Sequence, residues 1–146
     1  MNKWMSEFES VLREVHNTFW KQAYKRLSRK ISSLASKLRI RSKEHDVACE
    51  VTTNGLRKMF LSIYGKECRY CSKILNYRNI ACDHIIPLTK HGPSTYNNLQ
   101  LICKTCNVRK GALDENDFTM LIELVQQLPD EISTYVMRKL AKGGRY

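Results

Sequence analysis

Two Cys-x2-Cys pairs, Cys68-Arg-Tyr-Cys71 and Cys103-Lys-Thr-Cys106, stand 31 residues apart and constrain this chain more than any other feature. A turn of this kind aims two sulfurs at one point. Two such turns complete the tetrahedral thiolate shell that Zn2+ takes, at Zn–S distances of about 2.3 Å. Four protein ligands leave no open coordination position, so a metal held there is structural and supplies folding free energy on the order of 10 kcal/mol. The separation exceeds the usual zinc-ribbon spacing of about 15–20 residues, so an insertion lies between the knuckles, and function is sought there. The N-terminus, Met-Asn-Lys-Trp-Met-Ser-Glu-Phe-Glu, lacks the apolar stretch of a signal peptide, and no apolar run reaches the roughly 18–20 residues that span a bilayer. Neither export nor membrane insertion is expected. In a reducing cytoplasmic compartment six cysteines are read for metal or redox chemistry rather than disulfides. A redox dithiol lacks its βαβ context here, and Cys49 and Cys82, with no partner at a fixed offset, read as buried small apolar residues.

The chain's charge points to a polyanion. Lys and Arg total 25 against 14 Asp and Glu, a formal +11, and four thiolates around one dication would lower it only to about +9. Residues 1–54 contain neither Gly nor Pro. Trp4, Phe8, Leu12, Val15 and Phe19 recur at helical spacing, and Trp20, Tyr24, Leu27, Ile31, Leu34 and Leu38 continue it after a one-residue slip, so one amphipathic helix or two joined helices are expected. From Lys21 to Lys43 there are nine Lys or Arg and no acid. That face, with Lys25, Arg26, Arg29 and Lys30, reads as a nucleic-acid contact; a plain solvated helix and a coiled-coil dimer seam are the alternatives. Further along, a helix over 54–64 with Thr53 as N-cap, and a hairpin of Ile74–Tyr77 with Ile80–Ile86, are expected. A loop over 87–98, a short strand at Leu99–Ile102, and helices over 105–112, 115–127 and 131–141 complete the reading.

Between and beyond the knuckles run Cys82-Asp83-His84-Ile85-Ile86-Pro87-Leu88, then Tyr96-Asn97-Asn98-Leu99-Gln100-Leu101, then Cys106-Asn107-Val108-Arg109-Lys110-Gly111. Together with the cysteine pairs this pattern resembles the zinc-bearing branch of the HNH (His-Asn-His) endonuclease family, over residues 68–111, about 30% of the chain. The resemblance implies an α+β fold, a ββα-metal core with a four-cysteine structural zinc site, here flanked by N-terminal and C-terminal helices. It implies His84 as general base, Asp83 and Asn107 as holders of one divalent ion, and Asn98 as the residue that orients the base. The chemistry is coherent: an imidazole of ordinary pKa near 6.5 can deprotonate a water at neutral pH, and a hard dication on oxygen ligands neutralises charge building on a phosphodiester. Many members carry a final His where this chain has Asn107, a weaker and harder ligand, which favours Mg2+ or Mn2+ at the catalytic position. Strict strand alternation sends Asp83 and His84 to opposite faces, so either the strand ends or bulges there or one of the two is structural; family precedent favours the bend.

The expected organisation is a basic helical extension for DNA binding or oligomerisation at 1–46, a nuclease core at 47–113 and a helical tail at 114–146 packing on that core. The expected activity is metal-dependent hydrolysis of double-stranded DNA to 5′-phosphate and 3′-hydroxyl ends, by nicking or double-strand cleavage, with Arg109 and Lys110 at phosphates. The state is monomer or homodimer through the N-terminal helix, and the setting is intracellular, a phage-encoded protein in a bacterial host included. A zinc-stabilised DNA-binding or regulatory module that cuts nothing is the rival, and an assembly protein using the N-terminal helix as a dimer seam is the third reading.

Overall fold

The computed structural model describes residues 3–143. Helix α1 (Lys3–His16) and helix α2 (Trp20–Glu44) are joined by a 3-10 turn over Asn17–Phe19, with Asn17 in the left-handed region at φ 49°. The joint sits where the apolar register slips: Phe19 projects into solvent while Trp20 is buried. The two helices pack together through Phe8 and Tyr24, whose rings meet edge-on with centroids 6.4 Å apart. Over its 25 residues, about 37 Å, α2 buries Trp20, Ala23, Leu27, Ile31, Ala35, Leu38 and Ser42, a stripe repeating every three or four positions.

Helix α3 (Thr53–Ile63) starts one residue earlier than expected: the cap is Thr52, whose Oγ1 accepts from Gly55 N–H at 3.0 Å, so Thr53 is already helical. Helix α3 delivers the chain to the first knuckle. There Leu75 N–H donates to the Lys66 carbonyl at 2.8 Å, Gly65 N–H donates to the Leu75 carbonyl at 2.8 Å, and Glu67 bridges Ile74. Closing the knuckle in this way engages the backbone of residues 74–75, and the expected hairpin of 74–77 with 80–86 does not form. Strand β1 (Ile80–His84) pairs instead with strand β2 (Leu99–Cys103), antiparallel, in the register Ile80 with Cys103, Asp83 with Gln100 and His84 with Leu99.

Helix α4 (Lys104–Lys110) follows β2 without a break, capped by the Cys103 sulfur, so β1, β2 and α4 make the ββα unit. Helix α5 (Glu115–Gln126) is capped by Asp114, and helix α6 (Asp130–Leu140) follows Pro129. Phe118 of α5 is fully buried, its ring 4.8 Å from that of Tyr70. Helix α6 buries no residue completely and is tied to α4 where Arg109 Nε donates to the Met137 carbonyl at 3.0 Å. One apolar cluster runs from Phe8 and Leu12 through Leu27, Ile31, Leu56 and Phe60 to Leu101, Ile102 and Cys106. The apolar stripe read as a possible dimer seam is thus covered by the chain's own α3 and knuckle segment. No described helix is long and apolar enough to cross a membrane.

Candidate active site

The four knuckle sulfurs, of Cys68, Cys71, Cys103 and Cys106, lie within 4.8 Å of one another, and those of Cys71 and Cys103 are 3.5 Å apart. A tetrahedron with Zn–S bonds of about 2.3 Å has sulfurs about 3.8 Å apart, so the set fits zinc. Backbone N–H groups of Cys103 and Cys106 point at the sulfurs of Cys68 and Cys103, each at 3.4 Å. Burial pushes the Cys103 and Cys106 thiols up, a cost that a dication at the centre reverses. The cluster ties the segment before β1 to the junction of β2 and α4, and so fixes the frame of the ββα unit.

Strand β1 then sends its last two side chains different ways. The bend expected at Asp83-His84 is not found: the ladder continues without a bulge through the His84–Leu99 pair, where the strand ends, so alternation holds and the two side chains leave on opposite faces. The Asp83 carboxylate faces its cross-strand neighbour and α4: Oδ2 accepts from Gln100 Nε2 at 2.8 Å and lies 3.1 Å from Lys110 Nζ. The Lys110 ammonium also donates to the His84 carbonyl at 2.8 Å, and Gln100 Nε2 donates to Tyr70 Oη at 3.2 Å. Lys110 is 1% exposed. It was expected at a DNA phosphate; the structure instead places its ammonium inside the fold as the partner of a buried carboxylate. Burial raises the Asp83 pKa, against the opposing pull of Gln100 and Lys110.

His84 faces α2. Its Nε2 lies 2.9 Å from Ser94 Oγ, and Ser94 Oγ accepts from Ser42 Oγ, on α2, at 2.7 Å. The Nδ1 has no hydrogen-bond partner among the described residues. Burial, then the charges of Arg41, Lys110 and His45, lower the His84 pKa to about 4, so the ring is neutral at physiological pH.

The Asn98 side chain does not touch the imidazole. Its Oδ1 accepts from Ile86 N–H at 2.9 Å, and its Nδ2 donates to the carbonyls of Ile86 and Pro93 at 3.0 and 2.9 Å. It clamps both ends of the 86–93 loop, and its backbone carbonyl accepts from Ile85 N–H at 2.8 Å, holding the chain just past His84. Gly92 makes the clamp possible, because a Cβ there would collide with the Ile86 carbonyl oxygen.

Residues 68–113 match the HNH endonuclease family model. The HNH match begins at the first knuckle cysteine and covers both strands and α4, while α1 to α3 and α5 to α6 lie outside it. No curated protein matches the chain. The HNH domain suggests a nuclease or DNA-binding function.

Of the other sequence-derived candidates, Asn107 sits on α4 with a half-buried side chain that has no partner among the described residues. Arg109 uses Nε on the α6 backbone. Lys25, Arg26 and Arg29 are exposed on α2, with the Arg26 guanidinium 5.6 Å from the Tyr77 ring centroid, and Lys30 is half-buried. Asp83 and Asn107 offer a carboxylate and an amide, the hard oxygen donors that Mg2+ or Mn2+ accept. Asp83 keeps lone-pair capacity beyond its bonds to Gln100 and Lys110. The donors fit such an ion in kind, and Lys110 is its competitor for the carboxylate. Sequence reasoning missed Ser42 and Ser94, and counted Arg41 only as one cation of the Lys21–Lys43 face without tying it to His84; His45 stood alone in sequence, and no local spacing ties Ser42 to Ser94.

Proposed function

We propose that this chain is a metal-dependent DNA endonuclease in which His84 is the general base. The observation that carries the reading is the setting of that imidazole: on the strand the HNH match covers, held through Nε2 by Ser94, with no partner on Nδ1 among the described residues; a pKa lowered to about 4 keeps the ring unprotonated and makes it a weaker base than an ordinary imidazole. In the tautomer whose Nε2–H donates to Ser94, the Nδ1 lone pair would be the one that takes a proton from the attacking water. By the resemblance Asp83 and Asn107 would hold one Mg2+ or Mn2+ for electrophilic stabilisation of the phosphate and leaving oxygen, which requires the end of β1 to turn from strict alternation and Lys110 to release the Asp83 carboxylate. Asn98 keeps the 86–93 loop, and through it the end of β1, in place. The cations of α2, Lys25, Arg26, Arg29 and Lys30 among them, draw the DNA to this side of the molecule, and the free part of the Arg109 guanidinium adds to that field. In this division 1–46 is the DNA-binding extension, 47–113 the nuclease core and 114–146 a supporting tail.

The non-catalytic reading has one observation in its favour, since Lys110 already neutralises Asp83 from within the fold. Nicking of a supercoiled plasmid separates the two. The nuclease reading expects conversion to open circles that falls by about 10²–10⁴-fold in His84→Ala, the ordinary worth of a general base. Equal activity of the two proteins, or none in either, contradicts it.

A further inference from the structure

The nine cations of α2 are not equivalent. At about 100° per residue, Arg26, Lys30, Lys37 and Arg41 fall within an arc of about 60°, at one border of the buried stripe. Lys21, Lys25, Arg29, Arg39 and Lys43 fall on the opposite side, over an arc of about 80°. The first group borders the strand that carries His84. A cavity of about 150 Å³ opens between α2 and β1, lined by Lys30, Ser33, Lys37 and Cys82 among others. Cys82 and His84 share one face of β1, because strand side chains alternate. At the end of the same helix, Ser42 reaches the His84 ring through Ser94, at 2.7 and 2.9 Å. The border of α2 thus runs beside Cys82 and then beside His84. None of its cations forms an ion pair among the described residues. Lys30 is half-buried nonetheless, and desolvation with repulsion from Lys104 lowers its pKa to about 8. Cations crowded there without an acid are a cost to the fold that bound anions would offset.

We propose that the stripe Arg26, Lys30, Lys37 and Arg41 is a phosphate track of the DNA substrate that leads to His84, and that the opposite cations of α2 contribute only diffuse attraction. The proposal rests on the nuclease reading and deepens it. From Arg26 to Arg41 the helix rises about 22 Å, the axial length of about six nucleotides of one strand at 3.4 Å each.

Two triple variants of the zinc-loaded full chain, both in the His84→Ala background, test the track by fluorescence anisotropy with a 20-base-pair duplex across a salt series. One carries Lys30→Gln, Lys37→Gln and Arg41→Gln; the other carries Lys25→Gln, Arg29→Gln and Arg39→Gln. Both lose three charges, so a uniform field treats them alike. The track predicts that the first triple flattens the dependence of log K on log salt by about 2.7, at about 0.9 per phosphate contact, and that the second leaves the slope nearly unchanged. Lys37→Gln alone, at an exposed position where folding is not at stake, flattens it by about 0.9. Equal slopes for the two triples, or a larger change in the second, overturn the track while leaving the nuclease reading standing. Absence of duplex binding by the parent protein overturns both.

Discussion

Asp83 and His84 are consecutive in one strand, and at 7% and 8% exposure they are equally buried, yet the fold provides for them in different ways. On the Asp83 side every charge is answered internally: Lys110 and Gln100 hold the carboxylate, and Tyr70 holds Gln100. On the His84 side the ring meets the Ser94 hydroxyl, itself held by Ser42, and the nearby Arg41 guanidinium has no acidic partner among the described residues. Period-two alternation lets one strand be a structural strut on one face and an electropositive site on the other. An anionic substrate is attracted to the face that lacks compensation, and the compensated face holds the frame in place.

The largest expected effect removes both faces together. Stripping the metal from Cys68, Cys71, Cys103 and Cys106, by chelation or by Cys103→Ser, withdraws folding free energy on the order of 10 kcal/mol. Far-ultraviolet circular dichroism and thermal melting should then lose the cooperative transition. A chelated protein that still melts cooperatively near the original temperature would mean that the ββα unit stands without its clamp.

Next comes the compensated face. Lys110→Met leaves the Asp83 carboxylate buried without its cation, and about 3–5 kcal/mol of stability should go with it in urea unfolding. The double variant with Asp83→Leu should recover much of that loss, because exchanging a whole buried pair for apolar groups is near neutral. A cost below about 1 kcal/mol for the single variant would mean that Asp83 is provided for by something other than Lys110.

The site was only partly legible in the sequence, for a physical reason. The cysteine pairs, Asp83, His84 and Asn107 belong to spacings of a few residues, and local spacing is what a sequence displays. Ser42 and Ser94 are 52 residues apart, and their contact exists only because the long helix α2 lies beside the 86–94 loop. Lys110, next to a glycine at a helix end, reads as an outward cation for a DNA phosphate; α4 packing on β1 is what turns it inward. The missed hairpin has the same origin, since residues 74–75 pair backwards across the knuckle, and no strand propensity reveals that preference. The helices were legible because their apolar period is local, even to the slip at Phe19 and Trp20 that marks the joint.

The smallest effect is the pH response of the uncompensated face. His84 holds a pKa of about 4 in the fold, below its ordinary 6.5 in an unfolded chain. Between those values the unfolded chain binds more protons, so the stability this ring contributes is complete above about pH 6.5 and is lost as pH falls through 4. Asp83, raised by burial, has the opposite sign and favours the fold on the acid side. A histidine ring resonance with a midpoint near 4, absent from His84→Ala, is expected by NMR. A midpoint near 6.5 for that ring would show it in open solvent and erase the difference between the two faces.

The central claim, that the imidazole beside the basic helix is the base of a phosphodiester hydrolase, is tested most directly by following supercoiled plasmid with the zinc-loaded protein while Mg2+ or Mn2+ is omitted and then restored. The account predicts intact supercoils without the added ion, open circles on its return, and no such restoration in His84→Ala. Nicking that is indifferent to the added ion, or that survives loss of the imidazole, would contradict it.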